Sequence, residues 1–160
     1  MNNNDVELLL VEDDPNDVEL ALLALRKHKL ANKIHVVRDG EEALDFLFAR
    51  GAYAHRTANG PPKVILLDLK LPKVSGLEVL KAVKSDPRTQ AVPVVVMTSS
   101  REQRDMVEGY RLGVNSYIQK PIDFSQFQTI IRDLGYYWLL INQSPAPEAF
   151  PAQSGPNQVA

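Results

Sequence analysis

Three acidic residues directly follow short apolar runs, at positions where buried strands would end. Asp68 comes after Val64–Leu67, and Glu12 and Asp13 come after Val6–Val11. A carboxylate at the end of a buried strand costs free energy unless an opposite charge or a bound cation compensates it. Oxygen ligands of this kind suit Mg²⁺, and aspartate is an established nucleophile in phosphoryl transfer. The pattern therefore predicts a Mg²⁺ site with Asp68 as the candidate phosphoryl acceptor.

Two further polar residues end predicted strands and add the groups that a phosphoryl group needs around it. Thr98 follows Val92–Met97 and offers a hydroxyl donor. Lys120 follows Asn115–Gln119 and offers a positive charge, which suits phosphate. Taken singly, residues of these types are most often helix caps, turn residues or solvated charges. Their joint occurrence at successive strand ends favours phosphoryl transfer to Asp68.

The elements that must position these residues alternate between strand and helix along the chain. The apolar runs predict five strands, the second at Ile34–Val37, and each run is followed by residues with helical spacing. This order predicts an α/β fold with a parallel sheet covered by helices on both faces, which collects its functional groups at the carboxyl edge. Residues 51–62 are predicted to be a surface loop. The predicted helices run from Pro15 to the basic cluster at Arg26–Lys29, then over Glu41–Arg50, Leu77–Lys84, Arg101–Leu112 and Asp123–Ile141.

Composition narrows the class of protein. The chain has 160 residues, which predicts one domain, and its hydrophobic fraction of 44% is that of a soluble globular protein. A net charge of −2 gives no electrostatic footprint for nucleic acid or for an anionic membrane. The absence of cysteine excludes disulfides, thiolate metal sites and thiol nucleophiles. The N-terminal apolar run is too short for a signal peptide or a membrane span, so a cytoplasmic location is expected.

Four segments at the predicted strand ends resemble the receiver domain of response regulators. They read VEDD, DLKLPKVSG, MTSS and YIQKP, and the resemblance extends from Glu7 to Ile141. It implies a flavodoxin-like (βα)5 fold, a doubly wound five-stranded parallel sheet with the strand order 2-1-3-4-5. We expect a receiver domain over residues 5–142 and a disordered tail rich in proline and serine over residues 143–160. With no further periodic segment, no attached output domain is expected.

The same resemblance implies a role for each residue of the site. A histidine kinase would donate a phosphoryl group to Asp68 in a Mg²⁺-dependent reaction. Phosphorylation would then change the conformation of the face formed by the fourth helix, the fifth strand and the fifth helix. The resemblance also implies a cis peptide bond between Lys120 and Pro121. The other implied roles are Asp13 as direct Mg²⁺ ligand, Glu12 as ligand mainly through water, Lys70 as ligand through its backbone carbonyl, Thr98 as switch hydroxyl, Tyr117 as switch aromatic and Lys120 as the partner of the phosphoryl group.

Two departures from the minimal receiver pattern point to a subgroup and to a homodimer. The longer segment 51–62 and the last helix, which ends in Tyr136–Trp138, resemble single-domain regulators that pair with phytochrome-type histidine kinases. That helix carries one apolar face at Phe124, Phe127, Ile131, Leu134 and Trp138, and a second stripe at Ile130, Tyr137 and Ile141. A helix that is apolar over so much of its surface usually has a partner. We therefore expect a homodimer through the fourth helix, fifth strand and fifth helix; the alternative is that the aromatic end folds back on the sheet.

Two other functions compete with phosphoryl acceptance in signalling. A phosphatase of the haloacid-dehalogenase type also uses an aspartate at a strand end, but it needs a second aspartate two positions later, where this chain has Lys70. A pseudo-receiver would act as an interaction module without phosphorylation, and the complete set of acidic, threonine and lysine residues argues against it. We expect a signalling protein that promotes only its own phosphorylation and dephosphorylation, not an enzyme acting on other substrates.

Overall fold

The computed structural model describes residues 6–30, 33–58, 60–120 and 123–144, and its elements alternate between strand and helix. The strands are β1 Leu8–Val11, β2 Ile34–Val37, β3 Val64–Leu67, β4 Val94–Thr98 and β5 Ser116–Gln119. The α-helices are α1 Pro15–Lys27, α2 Gly40–Leu47, α3 Gly76–Ser85, α4 Gln103–Arg111 and α5 Phe124–Gly135, with a 3₁₀ helix at Gly51–Ala58 and a π-helical segment at Tyr136–Ile141.

The five strands form one parallel sheet in the order β2-β1-β3-β4-β5, which confirms the predicted fold class and strand order. The inner strands β1, β3 and β4 are buried on both faces, whereas the edge strands β2 and β5 are half-buried. Successive side chains of a strand point to opposite sides of the sheet. In β1, Leu8 and Leu10 pack in a core with α1 and α5, whereas Leu9 and Val11 pack in a second core with α2 and α3. Burial on both faces explains why the strands are continuous apolar runs.

Side chains just before α1, α2, α3 and α5 cap the start of these helices, whereas α4 has no side-chain cap. Asp14 accepts hydrogen bonds from the amides of the first turn of α1, and Pro15 occupies the first helical position, where no amide is needed. Ser75 and Glu78 form a reciprocal capping box at the start of α3. Asp39 and Asp123 cap α2 and α5 in the same way as Asp14. These caps fix how the four helices leave the carboxyl edge of the sheet.

The predicted surface loop at 51–62 is wrong over its first part, because residues Gly51–Ala58 form a 3₁₀ helix. Tyr53 is hydrogen-bonded to His35, with Oη and Nε2 2.9 Å apart, and the His35 ring stacks on Phe46. Arg56 is buried, with its guanidinium 3.4 Å from the centre of the Phe46 ring and donating to the Phe46 carbonyl. These contacts hold the segment against β2 and α2. They join residues that are distant in sequence, so periodicity could not predict them.

The predicted last helix is present, but its geometry changes near its end. It is α-helical over Phe124–Gly135 and π-helical over Tyr136–Ile141, and the amide of Asn142 donates to the Tyr137 carbonyl at 2.7 Å. Phe127 and Ile131 of the predicted apolar face are buried, whereas Phe124 is exposed, and Leu139, absent from the predicted faces, is buried. Leu134 and Trp138 pack against the core while partly exposed. The aromatic end therefore folds back on the molecule in part, with other apolar side chains left exposed: Tyr136, Tyr137, Leu140 and Ile141.

Two predictions concern residues outside the described ranges. Residues 145–160, most of the predicted tail, lie outside them, and so does Pro121, with the predicted cis bond that precedes it. Within the described ranges, no helix has the length and apolar character needed to cross a membrane.

A tight backbone approach lies beside Asp68 and predicts a strong effect of one added methyl group. A Cβ on Gly76 would lie 2.2 Å from the Asp68 carbonyl oxygen and 2.5 Å from the Leu69 Cα. We expect Gly76→Ala to lower the free energy of unfolding by about 3 kcal/mol, measured by urea denaturation, since only a backbone shift can relieve the clash.

Gly109→Ala is the matched control for this substitution. At Gly109, in α4, an added Cβ would come no closer than 3.5 Å to its nearest neighbour, Tyr117. Stability should stay the same or rise by up to about 1 kcal/mol from helix propensity. Equal effects of the two substitutions would contradict the close approach at Gly76.

Candidate functional site

The carboxyl edge of the sheet brings together side chains that follow three different strands. Glu12 follows β1, Asp68 follows β3 and Lys120 follows β5, and hydrogen bonds join the Lys120 ammonium to the carboxylates of both acids. Their strands place Leu10, Leu66 and Ile118, two positions earlier, in the core on the α1 and α5 side. The period of two along a strand therefore directs these charged groups toward the same side of the sheet.

The Lys120 ammonium is surrounded by three carboxylates. Its Nζ lies 2.8 Å from Glu12 Oε2, 2.8 Å from Asp68 Oδ2 and 2.7 Å from Asp17 Oδ2. The side chains of Glu12 and Asp68 are each 5% exposed and that of Lys120 is 12% exposed, so water screens these ion pairs only weakly. An ammonium has three hydrogens to donate, and three carboxylates stand within hydrogen-bonding distance of it.

Asp17 was not predicted from the sequence. It lies in the first turn of α1, where an acidic residue is expected simply because it suits the helix dipole. The signal that could have found it is its place in the β1–α1 unit, where the first turn of the helix stands beside the carboxyl end of the strand. That position alone does not tell which strand end the side chain reaches.

Hydrogen bonds to its backbone amide and to both of its carboxylate oxygens hold Asp68 in a fixed orientation. Its amide donates to the Val11 carbonyl at 3.0 Å, which continues the pairing between β1 and β3. Its Oδ1 accepts from the amide of Lys70 at 3.0 Å, while Oδ2 accepts from Lys120. The Lys70 side chain itself is exposed.

Glu12, Asp13 and Asp68 form a group that fits a divalent cation. One carboxylate oxygen from each lies within 4.8 Å of those of the other two, and all the donors are hard oxygens. Asp13 is exposed while Glu12 and Asp68 are buried, so the group opens to solvent on one side.

The pKa values of the site residues reflect the free-energy cost of burying these charges together. Burial raises the pKa of the Glu12 carboxyl, and the hydrogen bond from Lys120 opposes that rise. Burial lowers the pKa of the Lys120 ammonium, but hydrogen bonds to Asp17, Asp68 and Glu12 outweigh it and raise this pKa above its usual value. The carboxylates thus need Lys120, and a bound cation would compensate them further.

Thr98 and Tyr117 belong to the opposite face of the sheet, toward α4. Thr98 is fully buried at the end of β4, and its Oγ1 accepts from the amide of Ser100 at 3.2 Å. The Tyr117 ring lies beside Gly109 of α4, and its hydroxyl is buried. Ser100 lies near that hydroxyl but donates its own to Asp105 at 2.5 Å, and no well-formed hydrogen bond from a described residue reaches Tyr117. Burial, followed by the charge of Asp105, raises the pKa of Tyr117.

The predicted site residues therefore fall into two groups. Glu12, Asp13, Asp68 and Lys120 meet at one place, with the Lys70 amide on Asp68. Thr98 and Tyr117 lie on neighbouring strands, with Val96 paired to Tyr117 and Thr98 to Gln119. A doubly wound parallel sheet with an acidic group and a lysine at its carboxyl edge is the arrangement that the resemblance to receiver domains implies.

Comparison with known families identifies the class. Residues 8–132 match the model of the response regulator receiver domain, so the chain belongs to this family. Response regulator Rcp1 of Synechocystis sp. (strain PCC 6803) is 36% identical over 140 residues, which cover 87% of this chain and 92% of Rcp1. The probable methanogenesis regulatory protein FilR2 of Methanothrix harundinacea is 38% identical over 88% of each chain.

Solved structures with the same fold include three response regulators. The phosphorylated cyanobacterial phytochrome response regulator RcpA superposes with a TM-score of 0.82, at 38% identity over 89% of this chain and 99% of RcpA. The bacteriophytochrome response regulator AtBRR is 53% identical, with a TM-score of 0.68 over 87% of this chain and 99% of its own. Rcp1 in its Mn²⁺-bound form gives a TM-score of 0.81 at 34% identity, over 88% and 99% of the two chains. The chain is thus a response regulator of two-component signalling, similar to phytochrome-associated members.

The ion pairs of Lys120 predict a large loss of stability when the ammonium is removed. Lys120→Met leaves two buried carboxylates and Asp17 without their cation, and removing one partner of a buried ion pair commonly costs about 3 kcal/mol or more. We expect a loss of this size in urea denaturation with a chelator present. The control Lys27→Met removes an exposed ammonium from the last turn of α1 and should change stability by about 0.5 kcal/mol or less. If Lys120→Met were as stable as wild type, the ion pairs would carry no net stabilisation.

Proposed function

We propose that Asp68 accepts a phosphoryl group from the phosphohistidine of a sensor histidine kinase. The observation that carries this proposal is the bonding of Asp68, which is buried, oriented by the Lys70 amide and paired with Lys120. An Asp68 carboxylate oxygen forms the new bond to phosphorus while the bond from phosphorus to the histidine nitrogen breaks. The electron pair of that bond returns to the imidazole, which then takes up a proton. Lys120 is the cation that stays beside the phosphoryl oxygens.

Mg²⁺ is the proposed cation of the acidic group. Asp13 and Asp68 would bind it through carboxylate oxygens, Glu12 mainly through water, and Lys70 through its backbone carbonyl. The oxygen-only donor set supports this choice, as does the Mn²⁺ in the Rcp1 structure. When bound, the ion neutralises charge on the phosphoryl group during transfer.

Thr98 and Tyr117 are the proposed switch residues. The added phosphoryl charge would draw the Thr98 hydroxyl toward it, at the cost of the hydrogen bond from the Ser100 amide. Tyr117 packs against α4 with a buried hydroxyl that lacks a well-formed hydrogen bond to the described residues, so little energy opposes its displacement. This movement would alter the face made by α4, β5 and α5, a two-state change biased by a local charge.

The proposed donor is a phytochrome-type histidine kinase in the cytoplasm. Support comes from RcpA and AtBRR, which are named phytochrome and bacteriophytochrome response regulators, and the 3₁₀ helix at Gly51–Ala58 offers an additional element for such a partner. We assign the receiver domain to residues 5–142. The protein would promote only its own phosphorylation and dephosphorylation, and its output would be a partner interaction or a phosphorelay.

Treatment with a small phosphodonor tests the central proposal. With acetyl phosphate and Mg²⁺, the wild-type protein should gain one phosphoryl group in an intact-mass measurement, and Asp68→Asn should gain none. The same measurement with a phytochrome-type kinase as donor tests the proposed partner. No gain in the wild type under either donor would favour a pseudo-receiver.

The role of Mg²⁺ is tested in the same reaction with two neighbouring aspartates. Asp13→Asn removes a proposed ligand and should raise the Mg²⁺ concentration needed for half-maximal phosphorylation by about tenfold or more. Asp14→Asn removes the same charge one residue later, from the cap of α1, and should leave that concentration nearly unchanged. A chelator should abolish phosphorylation of all variants.

A homodimer through α4, β5 and α5 is the proposed assembly. Val107, Tyr110 and Phe124 are apolar side chains of this face that are each more than half exposed, at 56%, 55% and 52%. Sedimentation at micromolar concentration should give twice the chain mass, and Tyr110→Lys should reduce it to that of one chain because it buries a charge in the interface. The control Leu23→Lys alters an equally exposed residue of α1 and should remain dimeric. A monomeric wild type would overturn the proposal.

A further inference from the structure

We propose that Asp17 is a positioning residue that holds the Lys120 ammonium beside the phosphoacceptor during phosphoryl transfer. The inference rests on the proposed phosphorylation of Asp68 and names a contribution from α1 to that reaction. Its basis is the contact of 2.7 Å between Asp17 Oδ2 and Lys120 Nζ, made by a side chain that is 25% exposed.

The three carboxylates around Lys120 differ in what the reaction demands of them. Asp68 gives an oxygen to phosphorus and so loses charge on it, and Glu12 belongs to the group that fits a divalent cation. Asp17 is not a member of that group. It is therefore the one of the three partners that keeps its full charge for Lys120 while the other two are engaged elsewhere.

Packing alone does not hold Lys120 in place. A cavity of about 20 Å³, roughly the space of one water molecule, lies against Lys120 and Asp17. Its wall is completed by apolar residues of α1, β4 and α5, among them Ala21, Met97 and Phe127. Beside this gap the lysine side chain loses van der Waals contacts, so its position depends on the ion pairs of its ammonium.

The position of Asp17 in the first turn of α1 does not by itself explain its side-chain contact. The amides of Asn16 and Asp17 are already satisfied by Asp14, whose Oδ1 accepts from them at 2.8 and 3.3 Å. Asp17 is thus not needed as a cap. A favourable interaction with the helix dipole would leave its carboxylate free to point to solvent, whereas it points to Lys120.

The test uses the full chain with Asp17→Asn, which keeps the shape of the side chain and removes its charge. At saturating Mg²⁺ and a fixed acetyl phosphate concentration, its phosphorylation rate should fall by about tenfold or more, as expected for one lost hydrogen bond between charged groups. Asp17→Glu, which retains the carboxylate, should recover part of the rate. The control Glu19→Gln removes an exposed charge from the same helix and should match the wild type.

A second readout needs neither metal nor phosphate. In the nuclear magnetic resonance spectrum of ¹⁵N-labelled lysine ammonium groups, the wild type should show a Lys120 signal protected from hydrogen exchange, identified by its absence in Lys120→Met. The Lys84 ammonium also makes three hydrogen bonds, so its signal serves as an internal reference that Asp17→Asn should leave unchanged. Asp17→Asn should lose or broaden the Lys120 signal, and Glu19→Gln should retain it. A role limited to the stability of α1 would not change it.

The outcomes separate this inference from the proposed function. If the wild type is phosphorylated and Asp17→Asn matches it in rate and in the ammonium signal, only the inference fails. Faster phosphorylation of Asp17→Asn would also overturn it, because Asp17 would then compete with the phosphoryl group for Lys120. If the wild type is not phosphorylated by any donor, the proposed function fails and the inference fails with it.

Discussion

The structure of the site depends on one constraint, the concentration of negative charge at the carboxyl edge of the sheet. Glu12 and Asp68 are buried where a lone carboxylate would be costly, and the Lys120 ammonium compensates both. This ammonium joins strands that are not neighbours, since β5 lies at one edge of the sheet and β1 lies inside it. The ion pairs of the site therefore also link the end of β5 to the ends of β1 and β3. A cation or a phosphoryl group that enters must exchange with contacts that stabilise the fold.

The alternation of side chains along the strands places the predicted site residues in two sets, one on each face of the sheet. The charged groups and Asp17 lie toward α1 and α5, while Thr98 and Tyr117 lie toward α4. The two sets are close along the edge of the sheet, because Asp68 follows β3 and Thr98 ends the neighbouring strand β4. The buried hydroxyl of Tyr117, for which the described residues supply no well-formed hydrogen bond, makes the resting arrangement of that face less stable than a fully bonded one.

Much of the fold followed from local pattern, and the exceptions have a common cause. Strand positions and helix positions were predictable because continuous apolar runs alternate with helical spacing, whereas the strand order was implied by the resemblance to receiver domains. The 3₁₀ helix was missed because Tyr53 and Arg56 are fixed by His35 and Phe46, which belong to other elements. The burial of Leu139 was missed because the turn of the last helix changes from α to π after Gly135, which alters the face on which the following residues lie.

The sequence by itself determined which residues end the strands and therefore which chemical groups gather at the carboxyl edge. It named Glu12, Asp13, Asp68, Thr98 and Lys120, because the end of a parallel strand fixes a position whatever the rest of the fold does. Only the tertiary structure decided which of them bond to one another. The pairing of Glu12 with Lys120 spans 108 positions in the chain, and that of Lys120 with Asp17 depends on how α1 packs beside β1. Contacts of that kind depend on how the helices pack on the sheet, and the spacing of residues along the chain does not predict that packing.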